Sequence, residues 1–264
     1  MTINFKEKAG FICDMDGVIY HGSRILPGVP EFIAWLQKNN KAYLFLTNNS
    51  GMTPKELQQK LQRMGLEVPE EHFYTSALAT AAFLKAQSPG CSAFVIGEAG
   101  LLNALYDAGI VMNDVNPDYV VIGEGRNYSL ETLTKAVNLV RGGARLIGAN
   151  ADITGPTEDG IAPACRALIA PVEMASGKPA YFCGKPNPLM MRTGFRILGC
   201  HSEEAVVIGD RMDTDVIAGM ESGAETVLVL SGVTTREAAS EYAYQPTMIL
   251  NGVGDIVDAA EADD

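Results

Sequence analysis

The chain has 264 residues, 47% apolar and 20% charged, an ordinary globular balance with length for one large domain or two modest ones. Its formal net charge of -12 argues against a general nucleic-acid or anionic-membrane binder, since both reward a basic surface. A small anionic substrate stays open, because one local Lys or Arg can outweigh a remote acidic field. No apolar run approaches the ~20 residues of a membrane span, and the polar opening segment, residues 1–8, does not read as a signal peptide.

The five cysteines (Cys13, Cys91, Cys165, Cys183, Cys200) are scattered and form no C-x-x-C pair. They read as reduced, buried thiols, which suits a cytoplasmic protein. The three histidines, His21, His72 and His201, read as surface or helix-end residues.

In chain order, apolar strand-like runs alternate with helical patterns, which predicts βα units and a mainly parallel sheet. The first run, residues 10–13, leads into Asp14-Met15-Asp16-Gly17-Val18, with a turn signal at Gly17. Like charges so close repel, and half-buried carboxylates lose hydration. The pair therefore calls for a divalent cation at the carboxyl end of a parallel sheet, where α/β folds hold their ligands.

A helix over 30–39 precedes a buried strand over 42–46, which ends in Thr47-Asn48-Asn49-Ser50. These hydroxyl and amide groups can donate to an anion's oxygens; taken alone, the cluster is also an ordinary polar turn. Thr53-Pro54-Lys55-Glu56 reads as a helix start, with Thr53 as N-cap, Pro54 at the first helical position and Glu56 closing a capping box. That helix carries Leu57, Leu61 and Met64 on one face and stops at Gly65.

The middle of the chain starts a new series. Phe94-Val95-Ile96-Gly97-Glu98 and Val120-Val121-Ile122-Gly123-Glu124 are near-copies, each followed by a helical pattern, over 101–108 and 130–140. They are either an internal repeat or a coincidence among valine-rich strands. A third strand, 144–148, leads into Asn150-Ala151-Asp152.

After the Gly- and Pro-containing stretch 176–179 the first style of unit resumes, with core strands over 205–208 and 226–230. Gly184-Lys185-Pro186-Asn187 holds a lysine in a stiff loop, suited to placing one point charge beside a carboxylate or a phosphate oxygen; alone it is also a loop lysine facing water. It is not a Walker loop, since Pro186 stands where Ser or Thr is needed. Gly209-Asp210-Arg211-Met212-Asp213-Thr214-Asp215 follows the 205–208 strand. One acid there could cap a helix; three, facing the other acidic strand end, call for a cation, and oxygen-only ligands favour Mg²⁺ over zinc.

Asp14-Met15-Asp16-Gly17-Val18, Thr47-Asn48, Lys185 and Gly209-Asp210 with Asp215 resemble, in order, the four motifs of the haloacid dehalogenase (HAD) superfamily of phosphatases. Asn48-Asn49, Tyr74-Thr75-Ser76, Asn116-Pro117-Asp118, Gly184-Lys185-Pro186 and Val229-Leu230-Ser231-Gly232-Val233 are similar to the NagD subfamily, over nearly the whole chain.

The resemblance implies a Rossmann-like parallel α/β core formed by 1–77 and 183–264, and a C2-type α/β cap over 78–182. It implies a Mg²⁺-dependent phosphomonoesterase acting on small phosphorylated metabolites, nucleoside monophosphates such as UMP among them. Sugar phosphates, pyridoxal phosphate, phosphoglycolate and p-nitrophenyl phosphate are the alternatives. Asp14 would be the nucleophile and Asp16 the general acid and base. Asp14, the carbonyl of Asp16, and Asp210 would hold Mg²⁺, with Asp215 orienting the site. Thr47, Asn48, Asn49, Lys185 and Arg211 would bind the substrate.

The cap departs from the subfamily at Asn150-Ala151-Asp152, where Asn-Pro-Asp is frequent. Asn150, Asp152, Arg126 and Arg166 are candidate specificity residues, each with a plain reading as a solvated loop polar. A homo-oligomer is compatible with all of this. Two rival classes, a non-turnover phospho-acceptor of receiver type and a dehalogenase on the same scaffold, fit less well. Receivers are about half this length and lack the acid two residues after the nucleophile; dehalogenation needs neither Asp16 nor Mg²⁺.

Overall fold

The computed structural model describes residues 3–157 and 160–262. The architecture is α/β, in two compact units. The first gathers the chain up to Thr47, Gln58–Tyr74 and everything from Met190 onward; the second comprises Asn48–Leu57 and Thr75–Leu189.

The first unit is built on a sheet whose strands, from one edge, are Phe73–Thr75, Ala42–Thr47, Gly10–Cys13, Ala205–Gly209, Glu225–Val229 and Met248–Leu250. Counted by chain position this is the order 3-2-1-4-5-6 of doubly wound folds. The inner strands run parallel, with Phe11 paired to both Val206 and Tyr43, and Val207 to Thr226. Every residue of Gly10–Cys13 and Ala205–Gly209 is buried, as a parallel strand covered on both faces must be. Helix Val29–Lys38 packs onto the first strand through edge-to-face contacts of Phe11 with Phe32 and Trp35, at centroid distances of 6.2 and 5.7 Å.

The topology positions the chemistry. The order reverses between Gly10–Cys13 and Ala205–Gly209, which lie side by side with Cys13 level with Ile208. The residues that follow, Asp14 and Asp210, therefore leave neighbouring strands at the same end, and the Asp14 N–H donates to Ile208 O at 2.8 Å.

The second unit has its own sheet, in the order Tyr181–Phe182, Arg145–Gly148, Tyr119–Ile122, Ser92–Ile96, Val111–Met112, all in parallel register. Helices Ser76–Gln87 and Ala99–Asp107 bring Ala81, Leu84, Leu101 and Leu105 against Tyr119 and Val121. Helices Leu130–Arg141 and Cys165–Ser176 bring Ala136, Val140, Ile169 and Val172 against Val120 and Ile122. Alternate strand residues thus serve opposite cores, the period-2 logic of a sheet buried twice.

The capping box forms as read. Glu56 Oε2 accepts from Thr53 N–H at 2.8 Å, Glu56 N–H donates to Thr53 Oγ1 at 3.2 Å, and Gly65 beyond the helix takes φ +88°. Two parts differ from the sequence reading. Helix Cys165–Ser176 was not expected, because Pro171 inside it removes a hydrogen bond; the burial of Ile169 and Val172 outweighs that loss. An antiparallel pair also forms, Thr154–Thr157 with Gly160–Pro163, too short and Gly/Pro-rich to signal strands by pattern.

Candidate active site

In the first unit, Asp14, Asp210 and Asp215 each offer a carboxylate oxygen, all within 4.8 Å of one another. Asp210 and Asp215 are each 1% exposed. Bringing three anions together at that depth is costly unless a cation offsets it. An all-oxygen set with no His or Cys suits a hard divalent ion, so the residues present fit such a metal.

Close backbone holds the group in place. Val233 N–H donates to Asp210 Oδ2 at 2.7 Å, and Arg211 N–H to Asp215 Oδ2 at 3.2 Å. A Cβ on Gly232 would stand 2.0 Å from Asp210 Oδ2; one on Gly17, whose φ is +81°, would stand 2.5 Å away. Asp215 lies inside the single wide turn Met212–Val216 rather than at a helix cap, which aims it back toward the strand end.

Asp16 is half-buried on the Asp16–Tyr20 turn, and its carboxyl is not part of that group of three. Burial pushes its carboxyl above the usual carboxylate range, against the opposing pull of the Lys60 ammonium and His21. His21 Nδ1 lies 3.9 Å from Asp16 Oδ1, and Lys60 Nζ sits 3.7 Å from the centre of the Tyr20 ring. The raised carboxyl favours the protonated form that a proton donor needs. Arg211 grips Asp213 with two bonds, of 3.1 and 2.9 Å. Thr47, 7% exposed, ends its strand.

The second unit carries the other polar group. Asn48 Oδ1 accepts from Lys185 N–H at 2.7 Å and Asn48 Nδ2 donates to Lys185 O at 3.1 Å, so one carboxamide pins both main-chain groups of Lys185. Lys185 is only 3% exposed. Asn48 Nδ2 also reaches both oxygens of Asp152 at 3.2 Å. Asn150, fully buried, donates from Nδ2 to Asn48 O at 2.6 Å and to Glu124 Oε1. Asn49 is exposed, its Oδ1 accepting from Gly51 and Met52 N–H at 2.9 Å each. Arg126 is exposed, and Arg166 pairs with Glu173 over the Phe182 ring.

Comparison with known proteins settles the family. A haloacid dehalogenase-like hydrolase family model matches residues 11–111, and a second, HAD-hydrolase-like, model matches 182–256. The chain is 45% identical to the dihydroxyacetone phosphatase of Corynebacterium glutamicum, over 98% of this chain and 92% of that protein. It is 40% identical to the ribonucleotide monophosphatase NagD of Escherichia coli, over 93% and 96%. The chain belongs to the haloacid dehalogenase-like hydrolases. The solved 4-nitrophenylphosphatase of Thermotoga maritima superposes with a TM-score of 0.94 at 32% identity, covering 98% of this chain and 100% of that one. As a NagD-like HAD phosphatase, the protein is a phosphoric monoester hydrolase of small phosphorylated substrates, a family that generally uses a divalent metal. Among the described residues no helix is long and apolar enough to cross a membrane.

Two residues of this HAD phosphatase escaped the sequence reading. Lys60 lies beside the apolar face of Leu57 and Leu61, and helical spacing gives it no mark to separate it from a solvated lysine. Glu124 did have a signal, the repeated Val-Ile-Gly-Glu, but its partners Ser50 and Asn150 are remote in sequence.

Proposed function

We propose that the protein is a Mg²⁺-dependent phosphomonoesterase working through an aspartyl-phosphate. The observation that carries this is the Asp14, Asp210 and Asp215 group at the strand ends flanking the topological switch, with the protonation-prone Asp16 beside it.

Asp14 attacks phosphorus, the bond to the leaving alkoxide breaks, and Asp16 hands that alkoxide its proton. Asp16, now a carboxylate, takes a proton from water as the water attacks the aspartyl-phosphate; inorganic phosphate leaves and Asp14 is restored. Lys185 supplies positive charge to the phosphoryl oxygens, with Thr47 and the loop that begins at Asn48 donating hydrogen bonds. Asp14, the Asp16 carbonyl and Asp210 would hold Mg²⁺, which would supply charge neutralisation, with Asp215 orienting them. Residues 78–182 act as the cap that excludes competing water.

The substrate is a short phosphorylated polyol or ketone. Supporting this over UMP, three of the four cap candidates are committed within the protein: Asn150 to Glu124 and Asn48, Asp152 to Asn48, and Arg166 to Glu173. Of the four candidates Arg126 alone is not shown so engaged through its side chain among the described residues, and the relative at 45% identity is a dihydroxyacetone phosphatase. Nucleoside monophosphates are the second reading, favoured by the ribonucleotide monophosphatase at 40% identity. A phosphate-release screen over triose, sugar and nucleoside phosphates tests the choice. Higher kcat/KM on UMP than on every short phosphate would reverse it, and activity that survives EDTA would remove the metal.

A further inference from the structure

The repeated Val-Ile-Gly-Glu places two glutamates at one end of the second sheet. Ser92–Ile96 and Tyr119–Ile122 are parallel neighbours with Ile96 level with Ile122, so Glu98 and Glu124 leave adjacent strands together. Their partners differ. Among the described residues, Glu98 Oε1 accepts a main-chain bond from Arg126 N–H at 2.8 Å, outside the Asn48–Ser50 segment.

Glu124 instead ties the Ser50 segment to Asn150. Its Oε2 accepts from the Ser50 hydroxyl and from Ser50 N–H at 3.2 Å, its Oε1 accepts from Asn150 Nδ2, and its own N–H donates to Ser50 Oγ at 2.9 Å. Asn150 passes the constraint on. The same Nδ2 that reaches Glu124 donates to Asn48 O at 2.6 Å, where the Ser76 hydroxyl also donates, likewise at 2.6 Å. Asn48 in turn holds both main-chain groups of Lys185. The fit is tight enough that a Cβ on Gly184 would stand 2.6 Å from Asn48 Oδ1 and 2.8 Å from Asn150 Cβ.

We propose that Glu124 is a positioning residue for Lys185, acting through Asn150 and Asn48. This rests on the reading of Lys185 as the cation that meets the phosphoryl group. The carboxylate is suited to the task because both of its oxygens accept, and hydrogen bonds to a charged acceptor are the stronger kind. A glutamine there has one acceptor oxygen. If that oxygen faces Asn150, its amino group meets the Ser50 N–H; if it faces Ser50, two amino groups meet at Asn150. Either way one anchor of the Asn48 loop is lost, and the lysine loses its fixed place relative to the phosphoryl oxygens. Loss of precise placement is expensive even far from the chemistry.

The test is steady-state hydrolysis of p-nitrophenyl phosphate by Glu124→Gln, Glu124→Asp, Glu98→Gln, Lys185→Ala and the double variant Glu124→Gln/Lys185→Ala, with thermal unfolding as the check on folding. Glu124→Gln should lower kcat/KM by about 10- to 100-fold, a misplacement-sized loss. Glu124→Asp, which keeps the charge, should recover part of it and serves if the glutamine variant folds poorly. Glu98→Gln should stay within about twofold of wild type, because the bond described for its carboxylate goes to the Arg126 main chain and not to the Asn48 loop. The decisive value is the double variant, which should be no worse than Lys185→Ala alone, since coupled residues are non-additive. Multiplied losses would overturn the proposal, because Glu124 would then act independently of Lys185. A wild-type rate for Lys185→Ala would overturn it together with the reading of the lysine; an impaired Lys185→Ala with multiplied losses overturns the positioning role alone.

Discussion

At the scale of single residues, the site depends on where charge is and where side chains are missing. Asp14→Asn removes the proposed nucleophile with almost no change of shape. Turnover should fall by at least about 10³-fold, as expected when covalent catalysis is lost, with circular dichroism unchanged; a wild-type rate would end the assignment. The glycines make a sharper point, because they carry no side chain of their own and leave room for the Asp210 carboxylate. Gly232→Ala would press a methyl group into the Asp210 carboxylate, 2.0 Å from its Oδ2. Metal affinity should drop about 10- to 100-fold, the usual cost of disturbing a ligand's support. A Mg²⁺ titration of activity reads that loss directly, and an unchanged midpoint would show that the loop yields without cost.

At the scale of elements, local signals written within a few residues are the ones that formed as read. Thr53 and Glu56 exchange their capping hydrogen bonds three residues apart, and helix Pro54–Arg63 begins there. Thr53→Ala should cost about 1 kcal/mol, seen as a melting point lower by about 2–4 °C with little change in kcat; no shift would mean that the helix start is held by packing alone. Helix Cys165–Ser176 shows the opposite case. Its proline speaks against a helix in the sequence, and only the sheet beneath Ile169 and Val172 makes the segment helical. The strands Val111–Met112 and Tyr181–Phe182 carry too few residues for any pattern.

At the scale of the whole molecule, burial sets the chemistry of the thiols. Burial pushes the Cys165 thiol up to about 12, with Glu124 adding to it, and burial does the same to Cys183, with the Thr80 hydroxyl opposing. Both therefore stay protonated in the folded protein at pH 8, and alkylation should reach the half-exposed Cys200 well before either of them. The same shifts set a pH window. The folded thiols hold their protons above the ordinary value of 9.0 while the unfolded chain releases them, so stability falls as pH rises from about 9 toward 12. Urea unfolding at pH 8 and pH 10.5 checks this. The fall should be smaller in a Cys165→Ala/Cys183→Ala variant, and an equal fall would assign it to other groups.

The α/β class and the acidic and polar clusters following strand-like runs were legible in the sequence, because alternation of apolar runs and strand-exit carboxylates are local properties of the chain. Which strands neighbour each other was not. The meeting of Asp14 with Asp210 and Asp215 depends on the 3-2-1-4-5-6 order, and the grip of Asn48 on Lys185 joins residues 137 positions apart. Glu124 shows the boundary most plainly: its motif is visible by eye, while its partners are set by the register that brings Ile122 level with Gly148, two residues before Asn150, and by hydrogen bonds to Ser50. Sequence determined which groups the chain offers, since side-chain chemistry and short-range propensity are written residue by residue. Tertiary structure decided which of them act on one another, because burial and hydrogen bonding between remote segments exist only once the sheets have formed.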